Sequence, residues 1–191
     1  PDLPKSYQIT QHYRPVATDG SVEIETENGN RSFQIERIHI EEDAGKIVYD
    51  EKSGEVLVDF NRCGMPLLEI VTRPAVATPE EVCACLHAVR RILQYLGVSD
   101  CSMEKGQLRC DINVSVMPRG TDEWGTRTEI KNLNSFRAVR RALEHERRRQ
   151  IEIISSGGSV GLETMLWDET HGITVSQRRK EGAHDYRYFP E

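Results

Sequence analysis

The chain has 191 residues, a net charge of −6, 37% hydrophobic residues and 29% charged residues. That length allows one large domain or two small ones with a buried core. The acidic balance excludes a uniformly basic nucleic-acid surface, and no apolar run nears the roughly 20 residues needed to cross a bilayer, so no membrane role is expected. Five cysteines, at 63, 83, 85, 101 and 110, show no C-x-x-C spacing and read as reduced thiols of a cytoplasm-like compartment. The start at Pro1, without Met or leader, reads as a piece of a longer protein.

In chain order, Ser21 to Glu27 and Arg31 to Glu41 predict a hairpin turning at E-N-G-N, where Asn28 and Gly29 supply positive φ. Ile47 to Tyr49 and Val56 to Phe60 predict a second hairpin through D-E-K-S-G-E, and Pro66 to Val71 a buried strand. Thr78 starts a helix as N-cap, with Pro79 at the first position, Glu81 completing a capping box and Gly97 closing the end. Its stripe Val82, Cys85, Leu86, Val89, Ile92, Leu93, Leu96 has the helical period and reads as core packed on a sheet.

Arg109 to Val116, R-C-D-I-N-V-S-V, alternates strictly. In a strand it places Cys110, Ile112, Val114 and Val116 on a dry face and Arg109, Asp111, Asn113 and Ser115 on a polar one. A strand at Thr126 to Lys131 follows, then a long helix capped by Ser135 and running through Ile154, then strands at Glu163 to Trp167 and Ile173 to Arg179. Hairpins with a few long helices and no regular βαβ alternation predict an α+β fold: a largely antiparallel sheet with packed long helices.

Three segments carry acids, amides and lysines on strand-like patterns. His39 to Lys46 offers His39, Glu41, Glu42, Asp43 and Lys46, and in a regular strand His39 and Glu41 share a face while Glu42 points away. Asp111 and Asn113 lie beside Arg109 on the polar face, and Glu129 and Lys131 share a face of the next strand. If those strands pair, acids for a hard cation and cations for phosphate oxygens come within reach of one another, an arrangement suited to phosphoryl transfer. The competing reading is a polar outer face with cross-strand ion pairs. No P-loop, G-x-S-x-G or Cys/His nucleophile pattern occurs. Arg137, Arg140, Arg141, Arg147, Arg148 and Arg149 form either a solvated helix paired with Glu144 and Glu146 or a face for RNA or a partner protein.

Six ordered motifs, P-D-L-P-K-S-Y-Q-I, H-I-E-E-D-A-G-K, D-F-N-R-C-G-M-P-L-L-E-I-V, L-R-C-D-I-N-V-S, E-I-K-N-L-N-S-F and R-R-K-E-G-A-H-D-Y-R-Y-F-P-E, closely resemble the B subunits of tRNA-dependent glutamyl/aspartyl amidotransferases across essentially the whole chain. The resemblance implies a single glutamine-synthetase-like cradle domain over residues 1–191, without that family's N-terminal strand region or its C-terminal helical and tail domains. It implies a C–N ligase with glutamine as amide donor. The side-chain carboxylate of Glu-tRNA(Gln) or Asp-tRNA(Asn) would be phosphorylated with ATP and Mg²⁺, then amidated by ammonia from an amidase A subunit, the pair being braced by a small C subunit.

By resemblance, Glu41, Glu42, Asp111 and Glu129 are metal and nucleotide-site acids, and Glu42, Asp111, Glu129 and Lys131 carry the chemistry. Arg109, Lys46 and Asn132 are nucleotide contacts, Lys5 lines the ammonia route, and Arg140, Arg141 and Arg148 are candidate RNA or partner contacts. Ser6 stands where the family typically has glycine. The archaeal form's inserted domain is not seen, which favours a bacterial or organellar protein of the cytoplasm or matrix. The alternative function is a non-catalytic scaffold for tRNA or partner subunits.

Overall fold

The computed structural model describes residues 11, 13–50 and 52–179. It is α+β, with nine strands and two helices among the described residues. The chain divides into two compact units, one holding residues 11–23 and 30–75 of the described chain, the other residues 24–29 and 76–179.

Strands β1 (Ala17–Thr26) and β2 (Gly29–Glu42), which lie in the first unit apart from residues 24–29, meet at a tight turn where Gly29 adopts φ of 104°. Asn28 does not share the positive φ expected of it: its backbone N–H donates to Thr26 Oγ1 at 3.2 Å, and the Thr26 hydroxyl donates to the Gly29 carbonyl at 2.8 Å. Alternate residues Val22, Ile24, Phe33 and Ile35 are buried, the period-2 signature of strands with one dry face. The sheet order is β1-β2-β5, with β5 at Pro66–Thr72 antiparallel to β2. The predicted second hairpin forms a separate two-stranded ribbon, β3 (Lys46–Tyr49) and β4 (Val56–Asp59).

In the second unit α1 (Pro79–Tyr95) begins with the predicted capping box: the Glu81 N–H donates to Thr78 Oγ1, and the Thr78 N–H donates to the Glu81 carboxylate. Its apolar stripe is core only at the N-terminal end. Cys85 and Ala88 are buried and Val82 and Leu86 pack on the core, whereas Ile92 and Leu96 are exposed, because the helix outruns the sheet-and-helix core it joins. α2 (Phe136–Ser155), capped by Ser135, buries Ala138, Val139, Ala142 and Leu143 against Ile112, Ile130 and Trp167. The long packed helices expected are not borne out: the described residues hold two helices, of 17 and 20 residues. Positive-φ glycines follow both ends, Gly97 at 69° and Gly157 at 81°, stopping each in the left-handed conformation that only glycine adopts cheaply.

The sheet of this unit runs β6-β7-β8-β9 and is not purely antiparallel: β7 (Thr128–Lys131) and β8 (Glu163–Asp168) pair parallel, with α2 as their crossover. A parallel pair needs such a crossover, so one βαβ unit sits among hairpins. β6 is only Ile112–Val114, shorter than the alternation suggested, because its partner starts at Thr128. Its sidedness still extends outward: Ile112 is buried, Cys110, Val114 and Val116 are half-buried, and Arg109, Asp111 and Asn113 are exposed. β9 is Ile173–Arg179, antiparallel to β8.

Glu146, read from sequence as a partner for surface arginines, is completely buried. It accepts two hydrogen bonds from Arg149, at 2.9 and 2.6 Å, one from Gln150 at 2.9 Å and one from the Thr174 hydroxyl at 3.0 Å. Gln150 also donates to Thr128 Oγ1 and to the Val114 carbonyl, so the network ties α2 to β6, β7 and β9. Burial pushes the Glu146 carboxyl up, and the donors outweigh it, leaving its pKa below the ordinary value.

Candidate functional site

The sequence-predicted site residues fall into two clusters, each positioned by strand pairing. In the first unit the pairing of β2 with β5 is regular from Arg37 to Glu42, with no bulge there. Strand alternation therefore sends Glu41 to the face of His39 and Glu42 to the opposite face. His39 lies directly across from Glu69. His39 Nε2 is 3.1 Å from Glu41 Oε1 and 3.2 Å from Glu69 Oε2, and donor atoms of all three residues lie within 4.8 Å of one another. His39 and Glu41 are buried, while Glu69 is 46% exposed. Burial raises the Glu69 pKa, the hydrogen-bonded Glu41 carboxyl raises it further, and the pull of His39 and Arg37 does not offset them. Asp43, the last acid of the run, accepts from Arg62 Nε at 3.0 Å and closes the turn into β5 through its backbone. Glu42 is half-buried, and Lys46 is exposed at the start of β3.

Glu69 was not singled out from sequence. The available signal was its place as the single charged residue of Pro66–Thr72, a segment whose other positions suit a buried strand.

In the second unit Lys131 Nζ lies 2.6 Å from Asp111 Oδ2 and 3.2 Å from Glu129 Oε1. The buried Thr164 hydroxyl donates to Glu129 Oε2 at 3.1 Å, a contact made by the parallel β7–β8 register and without a sequence signal. Burial works against the Lys131 ammonium, but the two carboxylates more than compensate and raise its pKa. The strand pairing thus creates the acid–lysine proximity that was conditional in the sequence. The carboxylate oxygens are of the hard type Mg²⁺ takes, and a lysine beside them suits phosphate oxygens. Asp111 is half exposed, so the cluster is open to a ligand.

Asn132, at the end of β7, has φ of 65° and uses its Nδ2 to donate to the Trp167 carbonyl at 3.0 Å. Arg109 is exposed just before β6. Lys5 lies outside the described residues.

The arginines of α2 are engaged by neighbouring acids. Arg140 pairs with Glu80 at 2.8 Å and Glu144 at 3.0 Å, Arg141 with Glu169 at 2.8 Å while lying over the Trp167 ring, and Arg148 Nε donates to the Glu144 carbonyl at 3.2 Å. A groove of about 340 Å³ runs between Pro79, Glu80, Glu144, Arg147 and Arg148, its two acids balancing its two arginines. No disulfide joins the five cysteines, and burial pushes the Cys110 thiol up to about 12, which disfavours a nucleophilic thiolate. No helix among the described residues is long and apolar enough to cross a membrane.

A β-rich chain with these two acid clusters is matched over residues 1–191 by the model of the GatB/GatE catalytic domain, and the chain belongs to that family. Among its relatives are the B subunits of aspartyl/glutamyl-tRNA(Asn/Gln) amidotransferases from several bacteria. It is 57% identical over 191 residues to that of Caldicellulosiruptor saccharolyticus, 56% identical over 193 residues to that of Moorella thermoacetica and 54% identical over 191 residues to that of Myxococcus xanthus. In each case the whole chain is covered, and it spans 40% of the relative's length.

Proposed function

We propose that this chain is the carboxylate-activating part of a tRNA-dependent amidotransferase, acting on Glu-tRNA(Gln) or Asp-tRNA(Asn) within an assembly that includes an amidase A subunit and a small C subunit. The observation that carries this reading is the full-length family match, joined to motifs spread from one end of the chain to the other. A carboxylate is a poor acylating group, and ATP, when bound with Mg²⁺, supplies the phosphoryl group that turns its oxygen into a leaving group. Ammonia drawn from glutamine in the partner then completes the amide. A glutamine-synthetase-like cradle, a bacterial cytoplasmic setting and the ammonia-lining role of Lys5 belong to the same proposal.

In this reading Asp111 and Glu129 are acids available to Mg²⁺ in the second unit, and of Glu41 and Glu42 in the first, which face opposite sides of β2, no more than one serves a given ion. Lys131, held by Asp111 and Glu129, would supply a positive charge to phosphate oxygens, and the two carboxylates would hold the cation. Arg109 and Asn132 in the second unit, and Lys46 in the first, are each proposed as nucleotide contacts. The scaffold alternative, with Arg140, Arg141 and Arg148 as the RNA face, is disfavoured by their engagement with protein acids and backbone.

The test is ADP release by the full-length protein assembled with its partners, with and without glutamyl-tRNA(Gln). Dependence on the charged tRNA, and a loss of about 100-fold or more in Asp111→Ala with tRNA affinity kept, is the expected result. Unchanged turnover in Asp111→Ala would remove the chemistry from this cluster and favour the scaffold.

A further inference from the structure

The parallel register of β7 and β8 sets Thr164 across from Glu129 and Leu166 across from Lys131, so these four residues share one face of their sheet. Glu129, Lys131 and Leu166 are half-buried there, whereas Thr164 is 2% exposed. The enclosed position beside the acid and the lysine is thus a hydroxyl. We propose that Thr164 is a positioning residue of the carboxylate-activating step, fixing the Glu129 carboxylate and, through it, the Lys131 ammonium. This inference rests on the reading of the Asp111–Glu129–Lys131 cluster as the site of phosphoryl transfer.

The two oxygens of Glu129 meet different donors. The Thr164 hydroxyl donates to Oε2 at 3.1 Å, while Lys131 Nζ lies 3.2 Å from Oε1 and 2.6 Å from Asp111 Oδ2. A donor on each oxygen fixes the carboxylate plane, because turning it about its last torsion loosens both contacts together. The donors differ in stiffness. Threonine is β-branched and restricted at χ1, and this one is enclosed. A lysine ammonium rides on a flexible four-carbon stem, and the Lys131 side chain is 33% exposed. In the series Thr164–Glu129–Lys131–Asp111 the hydroxyl is therefore the rigid end, and half-exposed Asp111 the loose one.

The backbone is irregular at the same place. β8 keeps a regular register with β7 from Glu163 to Leu166, but its register with β9 shifts between Thr164 and Met165. Such irregularities re-aim a side chain and recur beside active sites. A buried hydroxyl needs a hydrogen-bond partner, and here the partner is the acid rather than a backbone carbonyl of the sheet. A valine of the same shape would fill the space and leave Oε2 without its rigid donor. Charges stabilise a transition state when they are already in place before the reaction. A residue that sets such a charge without touching the substrate therefore acts on turnover rather than on tRNA binding.

The experiment measures ADP release with glutamyl-tRNA(Gln) by the full-length protein assembled with its partners. Mn²⁺ is also titrated into the same assemblies without nucleotide, followed by electron paramagnetic resonance, scoring the Mn²⁺ that Asp111→Ala fails to bind. Thr164→Val keeps the shape and loses the hydroxyl; it is expected to lower kcat about 10–100-fold, to leave KM for the charged tRNA within about twofold, and to weaken the scored Mn²⁺ about tenfold. Thr164→Ser keeps the hydroxyl and loses the methyl, and is expected to restore most of both signals, the reverse of what a packing role gives. If Thr164→Val fails to fold, Thr164→Ala set against Thr164→Ser provides the same contrast. With Asp111→Ala inactive, a Thr164→Val that matches wild type in turnover or in Mn²⁺ binding, or a Thr164→Ser that falls as far as Thr164→Val, overturns the inference and leaves the reading of the cluster standing. Asp111→Ala at the wild-type rate overturns both.

Discussion

Two carboxylates in this chain, one fully buried and one partly exposed, are pushed in opposite directions by the same physics. Around Glu146, four hydrogen bonds from Arg149, Gln150 and Thr174 reach two oxygens, and the carboxyl ends below its ordinary pKa despite burial. Around Glu69, burial meets a second carboxyl rather than a set of donors, and the pKa rises. Desolvation is unfavourable to both charges, so the supply of donors decides the sign. A carboxylate saturated with protein donors is a structural tie, here joining α2 to the sheet; one facing another acid holds its proton to higher pH. The Asp111–Glu129–Lys131 cluster lies between these cases: its acids share an ammonium, but the site is open enough to exchange partners.

The largest effect should come from breaking the saturated cluster. Glu146→Ala strands the Arg149 guanidinium, Gln150 and Thr174, and should destabilise the protein by about 3–5 kcal/mol in urea unfolding. A cost under about 1 kcal/mol would mean that water replaces the carboxylate and that the tie is not structural. Removing one donor is milder: Thr174→Val leaves Glu146 three of its bonds and should cost about 1–2 kcal/mol.

Glu69→Gln should have the smallest effect and the opposite sign, raising the stability of metal-free protein near neutral pH by less than about 1 kcal/mol, since the side chain is partly exposed. The pH dependence separates the two acids. Glu69, with a folded pKa raised above 4.5, contributes stability that is full below 4.5 and lost as pH rises through the folded value. Glu146, lowered below 4.5, contributes stability present above 4.5 and lost as pH falls through its folded value. Urea midpoints measured from about pH 3 to 8 should therefore lose their decline above pH 4.5 in Glu69→Gln. In Glu146→Gln they should lose their acid-side decline. Parallel curves for wild type and Glu69→Gln would remove the carboxyl–carboxyl contact from the account.

Local signals in the sequence settled the elements. Thr78, Pro79 and Glu81 marked the start of α1 because a capping box satisfies backbone donors within four residues, and Ser135 did the same for α2. Gly29 and the alternation of Val22, Ile24, Phe33 and Ile35 made the first hairpin legible, since turn conformation and strand sidedness are short-range properties. The partition of H-I-E-E-D was also readable in part: His39 and Glu41 had to share a face of any regular strand, with Glu42 on the other. The motifs likewise carried the family, matched over the full chain.

What the tertiary structure alone decided was which distant groups meet. Glu69 reaches His39 because β5 pairs with β2 in one register, and a shift of one residue would have turned it to the other face. Thr164 reaches Glu129 through a parallel pairing that the hairpin-rich pattern did not announce. Glu146 lies in an arginine-rich run that looks solvated, and only the packing of α2 over β6, β7 and β9 showed it to be the most enclosed acid of that helix. Sequence determined the faces and ends of elements because those follow from residues a few positions apart; registers and crossovers depend on the free energy of the whole packed unit, and they placed the acids.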